Sequence, residues 1–147
     1  MAFANDAKGY EIRNPGFKGT LGKKDISFLV NPARRDTAIF EGVFDFLAML
    51  TYFQRDQAGS NVLVLNSVGL IERGIERLNE HNIRQYHSYL DHDEAGRNTL
   101  TTLRERLPGE VIDDSTFYLG HKDVNEFLMH HQYMQQSQER MPFELER

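Results

Sequence analysis

Residues 37–50, TAIFEGVFDFLAML, contain the pattern that decides the fold. The apolar run over 37–40 is typical of a short buried strand, and it ends at Glu41 and Gly42. Apolar side chains then recur every three or four residues, which is the spacing of one face of a helix. These residues therefore predict a strand that leads directly into a helix.

The same alternation continues toward the C-terminus. Residues 62–65, VLVL, predict a strand buried on both faces. Residues 83–90 predict another strand, and either 111–112 or 116–118 predicts a fourth. Helical spacing follows each of them, and one helix is expected over about 94–107 before Pro-Gly stops it. Strands that alternate with helices predict an α/β fold, a parallel sheet with helices on both faces.

The first 35 residues differ from the rest in composition. Turn sequences rich in Gly and Asn separate two strand-like runs at 10–13 and 26–30, which predicts a small antiparallel β element. We expect the main domain over 36–138 and a polar tail over 139–147. Residues 1–35 carry seven bases and three acids, which gives them a net charge of +4. The whole chain has a net charge of −5, so the remaining 112 residues carry −9. A basic arm beside an acidic body suits a phosphate-contacting surface next to a site that holds cations.

Composition excludes several classes of protein. The 147 residues include no cysteine, so disulfides, cysteine-ligated zinc and thiol catalysis are excluded. The longest apolar run is VLVL, whereas a membrane span needs about 20 apolar residues. The N-terminal sequence MAFANDAKGY lacks the basic and apolar regions of a secretory signal. We therefore expect a cytoplasmic protein without a membrane partner.

Two pairs of acids follow the ends of predicted strands. Glu41 and Asp45 follow the first strand of the main domain, and Asp91 and Asp93 follow the third. Ligands bind beyond the carboxyl ends of parallel strands, and the four carboxylates converge there if these two strands are neighbours. Crowded carboxylates repel one another, and a hard divalent cation such as Mg²⁺ or Mn²⁺ relieves that repulsion. An Asp-x-Asp after a strand is also a common helix cap, so Asp93 alone supports either interpretation.

Three motifs together resemble a known family. They are EGVFD at 41–45, YLDHDEAGR at 89–97 and HKDVNEFL at 121–128. In this order they resemble the Toprim domain of bacterial DNA primases, in the version found in mobile-element proteins, over about residues 36–130. That domain is shared in outline with topoisomerases and some nucleases. The resemblance implies a Rossmann-like sheet of strand order 2-1-3-4, and it makes residues 1–35 the remnant of a basic subdomain.

The resemblance also implies roles for the acids. Glu41 would be the general acid or base near the reacting phosphate, or an outer metal ligand. Asp91 and Asp93 would hold Mg²⁺ or Mn²⁺, and Asp45 and Asp123 would complete the acidic patch.

Five basic residues receive roles in the same way. Arg97 and Lys122 would contact nucleotide phosphates, although an ion pair of Arg97 with a neighbouring acid is an open alternative. Lys18, Lys23 and Lys24 would follow a nucleic-acid strand. The implied activity is Mg²⁺-dependent nucleotidyl transfer, in which a DNA primase-like enzyme makes RNA primers on single-stranded DNA from nucleoside triphosphates. A helicase is the expected partner in replication or mobilisation.

The sequence departs from the primase pattern at two points. Asn125 occupies a position where primases often carry a second acid, and the absence of cysteine means that this chain has no zinc-binding module. Two alternatives therefore stay open. One is a Toprim nuclease that uses the same acids to cleave phosphodiesters, and the other is a catalytically silent module that binds nucleic acid.

Overall fold

The computed structural model describes residues 1–140, which form two β-sheets and four α-helices. The strands are β1 (Ala2–Ala4), β2 (Tyr10–Asn14), β3 (Phe17–Leu21), β4 (Ser27–Leu29), β5 (Asp36–Phe40), β6 (Asn61–Val64), β7 (Gln85–Tyr89) and β8 (Glu110–Asp113). The helices are α1 (Val43–Tyr52), α2 (Ile71–Asn79), α3 (Glu94–Arg106) and α4 (Val124–Glu139). Most of the predicted polar tail, residues 141–147, lies outside the described residues.

The larger sheet has the predicted topology. Its order is β4-β6-β5-β7-β8, and the last four strands are parallel. Since β5, β6, β7 and β8 are the first to fourth strands of the main domain, the order 2-1-3-4 is confirmed. The fourth strand is 110–113, while Ser115–Tyr118 forms a 3₁₀ turn.

One assignment of a strand was wrong. We expected 26–30 to pair with 10–13, but β4 instead pairs antiparallel with β6 at the edge of the larger sheet. The reason is burial, because Ile26 and Phe28 pack into the hydrophobic core beside Leu63 and Leu65.

Helices cover both faces of the larger sheet, as predicted. On one face, Ile39 and Leu63 pack against α2 and α3 through side chains that include Leu78 and Leu103. On the other face, Phe40 and its neighbours on β6 pack against α1. The VLVL run is fully buried, which matches its lack of polar positions. No helix within residues 1–140 has the length and apolar character needed to cross a membrane.

The N-terminal β element is a three-stranded antiparallel sheet of order β1-β2-β3. It is attached to the larger sheet at several points. The Oγ of Ser27 donates a hydrogen bond to the carbonyl of Ala4 at 2.8 Å, and the rings of Phe3 and Phe46 meet edge to face at 6.3 Å. The small sheet therefore lies beside α1, near the carboxyl end of the parallel strands.

Candidate metal centre and its cleft

Acidic residues from two adjacent strands meet at the carboxyl edge of the larger sheet. Phe40 and Tyr89 are direct partners in the β5–β7 register, so the residues that follow them are neighbours. Glu41 comes directly after β5, and its Oε2 accepts a hydrogen bond of 3.0 Å from the backbone N–H of Asp91. The predicted convergence of these two acids is therefore present in the structure.

Three aspartates form the centre of this site. One carboxylate oxygen from each of Asp45, Asp91 and Asp123 lies within 4.8 Å of the others. Asp45 is on the first turn of α1 and is only 7% exposed. Its Oδ1 accepts a hydrogen bond of 3.2 Å from the backbone N–H of Asn125, which ties α1 to the start of α4. The site is thus assembled from three separate parts of the chain.

Two further hydrogen bonds fix the loop that carries Asp91. The buried hydroxyl of Tyr118 donates to the carbonyl of Leu90 at 2.6 Å. The backbone N–H of His92 donates to the carbonyl of Lys122 at 2.7 Å, and its Nδ1 donates to the carbonyl of His121 at 2.6 Å. The histidine in the acidic motif therefore joins the Asp91 loop to the Asp123 loop, a structural role for which the sequence carries no clear signal.

Burial and mutual repulsion raise the pKa values of the clustered acids. Desolvation, followed by the charges of Asp123 and Glu41, raises the pKa of Asp45 from 3.8 to about 7. Desolvation also raises the pKa of Asp91 to about 7, and the surrounding carboxylates add to the rise. The pKa of Glu41 is raised mainly by desolvation. Anionic side chains are therefore held at a cost near neutral pH, which a bound cation would remove.

The polar atoms of the cluster fit a divalent cation. The Oδ1 of Asp91 is buried and has no hydrogen-bond partner within residues 1–140. A buried carboxylate oxygen without a partner is costly, and three carboxylates are the hard oxygen donors that Mg²⁺ and Mn²⁺ prefer. The orphaned oxygen and the donor set are both explained if a metal ion binds at this position.

Asp93, the other aspartate of the Asp-x-Asp motif, has a different position. Its Oδ1 accepts a hydrogen bond of 2.7 Å from the backbone N–H of Gly96, so it caps the N-terminus of α3. It is not one of the three clustered aspartates. Asp123 combines both features, because its Oδ1 caps α4 at 2.8 Å from the N–H of Glu126 while its carboxylate lies in the cluster. Direct metal ligation by Asp93 stays a prediction.

The acidic site forms the floor of a cleft of about 510 Å³. Lys18 and Lys24 line this cleft from the side of the small sheet, and Lys122 lines it beside Asp123. Lys23 and Arg97 are exposed and are not among its lining residues. Within residues 1–140, Arg97 forms no ion pair with an acid. The cleft therefore brings together three of the five predicted basic residues.

Sequence reasoning missed two residues of the cleft, Arg13 and Phe44. Both line it, and the guanidinium carbon of Arg13 lies 4.4 Å from the centroid of the Phe44 ring. A signal for Arg13 existed, because a two-residue turn at Pro15-Gly16 places Arg13 directly opposite Lys18 in the β2–β3 register. The contact with Phe44 depends on how the two sheets pack, which the sequence does not indicate.

Comparison with known proteins agrees with this geometry. The family model described as Toprim-like matches residues 38–128. No curated protein matches the sequence. The structure is similar to the primase fragment of the bacteriophage T7 primase-helicase protein, with a TM-score of 0.66 and 20% identity over 90% of this chain and 56% of the T7 chain.

A second T7 structure is similar as well. It is that of the lagging-strand DNA polymerase interacting with primase domains of two gp4 subunits bound to an RNA/DNA hybrid and dTTP. Its TM-score is 0.64 at 17% identity, over 93% of this chain and 73% of that one. These likenesses show a shared fold, and this chain spans little more than half of the T7 primase fragment. Since the family model covers more than half of the sequence and the three motifs lie within it, the chain belongs to the Toprim-like family.

Proposed function

We propose that this chain is the catalytic portion of a DNA primase-like nucleotidyltransferase. The observation that carries this proposal is the buried Oδ1 of Asp91, which has no hydrogen-bond partner among residues 1–140 and lies among carboxylates whose pKa values are raised. Such a site is suited to a divalent cation next to a polyphosphate, which is the usual arrangement in phosphoryl-transfer enzymes. The reaction is attack of a primer 3′-hydroxyl on the α-phosphorus of a nucleoside triphosphate, with pyrophosphate as the leaving group.

Three aspartates hold the metal directly in this proposal, and a fourth, Asp93, lies beside them. Asp45, Asp91 and Asp123 supply the inner oxygens, and Asp93 acts from the adjacent cap, where it also positions the loop. Mg²⁺ or Mn²⁺, when bound, neutralises charge on the phosphates and orients them for in-line attack. Mg²⁺ commonly keeps several of its positions for water and phosphate oxygens, so three protein carboxylates leave room for a substrate.

Glu41 is the proposed general acid or base. Its carboxylate is half-buried at the edge of the cleft, and desolvation raises its pKa above the ordinary value. A raised pKa brings a carboxylate closer to the pH at which proton transfer is efficient. Its hydrogen bond to the N–H of Asp91 fixes the carboxylate beside the proposed metal ligand.

The proposed nucleic-acid path runs along the basic wall of the cleft, which is formed by Lys18 and Lys24. Lys18 and Lys24 line the same cleft as the acids, so a strand bound along these lysines would have its phosphates near the proposed metal centre. Lys122 is the proposed contact for the triphosphate. Lys23 and Arg97, which lie outside the lining, are assigned to the outer part of the same surface.

The partners of the complete protein follow from the same proposal. They are a single-stranded DNA template, nucleoside triphosphates and a helicase, as the name of the T7 primase-helicase suggests. We place the activity in the cytoplasm, where templates and nucleotides are available, and assign it to replication or mobilisation of a mobile element.

One observation favours a second candidate, a silent binding module. The side chain of Asn125 donates to the sulfur of Met129 at 3.8 Å, and its backbone N–H contacts Asp45, so its amide is not one of the cluster ligands. A site with fewer acids holds a second metal less well. A Toprim nuclease is a third candidate, since it would use the same carboxylates on a different phosphate.

Calorimetric titration with Mn²⁺ tests the metal site. We expect binding to the wild-type chain and to Asp113→Asn, a matched control with an exposed aspartate outside the cleft. Asp91→Asn should remain folded and lose most of the binding. If the folded wild-type protein does not bind Mn²⁺ at millimolar concentration, the proposed function is wrong.

Substrate assays with metal then separate the three candidates. Triphosphate binding without cleavage of a labelled single strand supports the primase-like proposal. Cleavage of that strand indicates a nuclease. A protein that binds DNA but binds neither the metal nor the triphosphate is a silent module.

A further inference from the structure

The cleft contains a stacked pair that neither metal ligation nor phosphate contact uses. Phe44 lies on the first turn of α1 beside the buried Asp45, and it is half-exposed. It is the one aromatic side chain among the cleft-lining residues of the 1–140 segment. The guanidinium carbon of Arg13 lies over this ring, 4.4 Å from its centroid.

The charge of Arg13 is not neutralised by a carboxylate. Over the part of the chain that the structure describes, Arg13 forms no ion pair, and its direct cross-strand partner is Lys18. Both backbone polar groups of Arg13 form hydrogen bonds with Met1. The Arg13 N–H donates to the Met1 carbonyl at 3.0 Å, and the N-terminal amine donates to the Arg13 carbonyl at 2.9 Å. Arg13 is thus an exposed residue whose guanidinium lies over the Phe44 ring.

We propose that Arg13, backed by Phe44, is a stacking site for one nucleobase of the strand bound in the cleft. This inference rests on the function proposed above. A base can stack on the outer face of the guanidinium while its neighbouring phosphates contact Lys18 and Lys24. Stacking on aromatic rings and on arginine accepts every base, because each base has a π face. The site therefore positions a strand relative to the metal centre without selecting its sequence.

A purely structural role for the pair is the alternative, in which it attaches the N-terminal residues to the larger domain. That attachment is already made elsewhere. Phe3 packs on Phe46, and Ser27 donates a hydrogen bond to the carbonyl of Ala4. Arg77 forms an ion pair of 3.3 Å with Asp6, in the loop after β1.

Fluorescence anisotropy with two labelled strands tests the proposal. One strand is a short oligothymidine, and the other has the same length and backbone but no bases. Both are titrated with the full chain in Mg²⁺. Phe44→Leu removes the ring but keeps apolar bulk, and Arg13→Lys keeps the charge but removes the planar group. Phe17→Leu is the matched control, because Phe17 is exposed on the same small sheet and is not a lining residue of the cleft.

We expect the wild-type chain to bind oligothymidine more tightly than the abasic strand. Phe44→Leu and Arg13→Lys should each weaken oligothymidine binding about fivefold or more, the lower end of the range for one stacked base. Neither should change binding of the abasic strand, and Phe17→Leu should change neither.

Two results would overturn the stacking site while leaving the proposed function intact. One is equal affinity of the wild-type chain for the two strands, and the other is equal weakening of both strands by the substitutions. Failure of both strands to bind in Mg²⁺ is a different result, since it would remove the proposed function together with the stacking site.

Discussion

Asp45→Asn is expected to stabilise the metal-free protein at pH 8. The side chain of Asp45 is 7% exposed, and its pKa is raised from 3.8 to about 7 by desolvation and by the charges of Asp123 and Glu41. Because the folded-state pKa lies above the unfolded value, the unfolded chain loses this proton first as the pH rises. The free energy of unfolding of the wild type therefore decreases between about pH 4 and pH 7, and the decrease is complete above that range.

The magnitude follows from the difference between the two pKa values. At about 1.4 kcal/mol per pH unit, a rise from 3.8 to about 7 corresponds to about 4 kcal/mol. Asparagine carries no charge, so it removes both the desolvation of the anion and its repulsion with Asp123 and Glu41, but its amide is itself buried, and we expect a recovery of about 2 to 4 kcal/mol at pH 8. Asparagine keeps an oxygen that can accept the hydrogen bond from the N–H of Asn125. At pH 4 the two proteins should have nearly the same stability.

Urea unfolding at a series of pH values, with a chelator present, measures this effect. Asp56→Asn is the matched control, since Asp56 is an exposed acid in the loop after α1 and should leave the pH curve unchanged. Addition of Mg²⁺ should restore stability to the wild type by mass action and should have less effect on Asp45→Asn. The reasoning is refuted if Asp45→Asn is no more stable than the wild type at pH 8.

Three further predictions concern the cap, the basic wall and the loop of the metal centre. Asp123→Ser should keep the cap of α4 and lose about tenfold or more in Mn²⁺ affinity by calorimetry, whereas Asp123→Ala should also lose about 1 kcal/mol of stability. Lys18→Glu should weaken Mg²⁺-dependent binding of single-stranded DNA and reduce its salt dependence, and Lys23→Glu, outside the cleft lining, should have the smaller effect in the same anisotropy assay. Gly96→Ala should lower the free energy of unfolding in urea by about 2 kcal/mol or more and reduce Mn²⁺ affinity, because a Cβ there would collide with the backbone carbonyl of Asp91. Gly59→Ala, where the nearest atom is the end of a flexible arginine at 3.8 Å, is its control.

The fold could be predicted because its signals are local. Strands and helices alternate along the sequence, and the EGVFD and DHDEAGR motifs each begin one or two residues after the end of a strand. The assignment of Ser27–Leu29 failed because the pairing of a three-residue edge strand depends on distant residues. Nothing within 26–30 distinguishes a partner at 10–13 from the actual partner, β6.

The candidate site could be predicted only in part, for a different reason. Aspartate is both a preferred helix cap and a preferred metal ligand, so its position after a strand is compatible with either role. Asp93 and Asp123 occupy equivalent cap positions on α3 and α4, yet only Asp123 lies in the three-acid cluster. What separates them is the direction in which each loop presents its carboxylate, and that depends on tertiary packing.

The loops of the metal centre are fixed by hydrogen bonds that do not depend on the charge of the acids. Tyr118 bonds to the carbonyl of Leu90, and His92 bonds to two carbonyls of the loop before α4. Repulsion among the carboxylates increases as the pH rises, but none of these hydrogen bonds involves a carboxylate of the cluster. Separation of the acids would therefore require these hydrogen bonds to break and the surrounding core to rearrange. We therefore expect the cluster to stay assembled while its carboxylates are charged, so that a cation could bind to a site that is already formed.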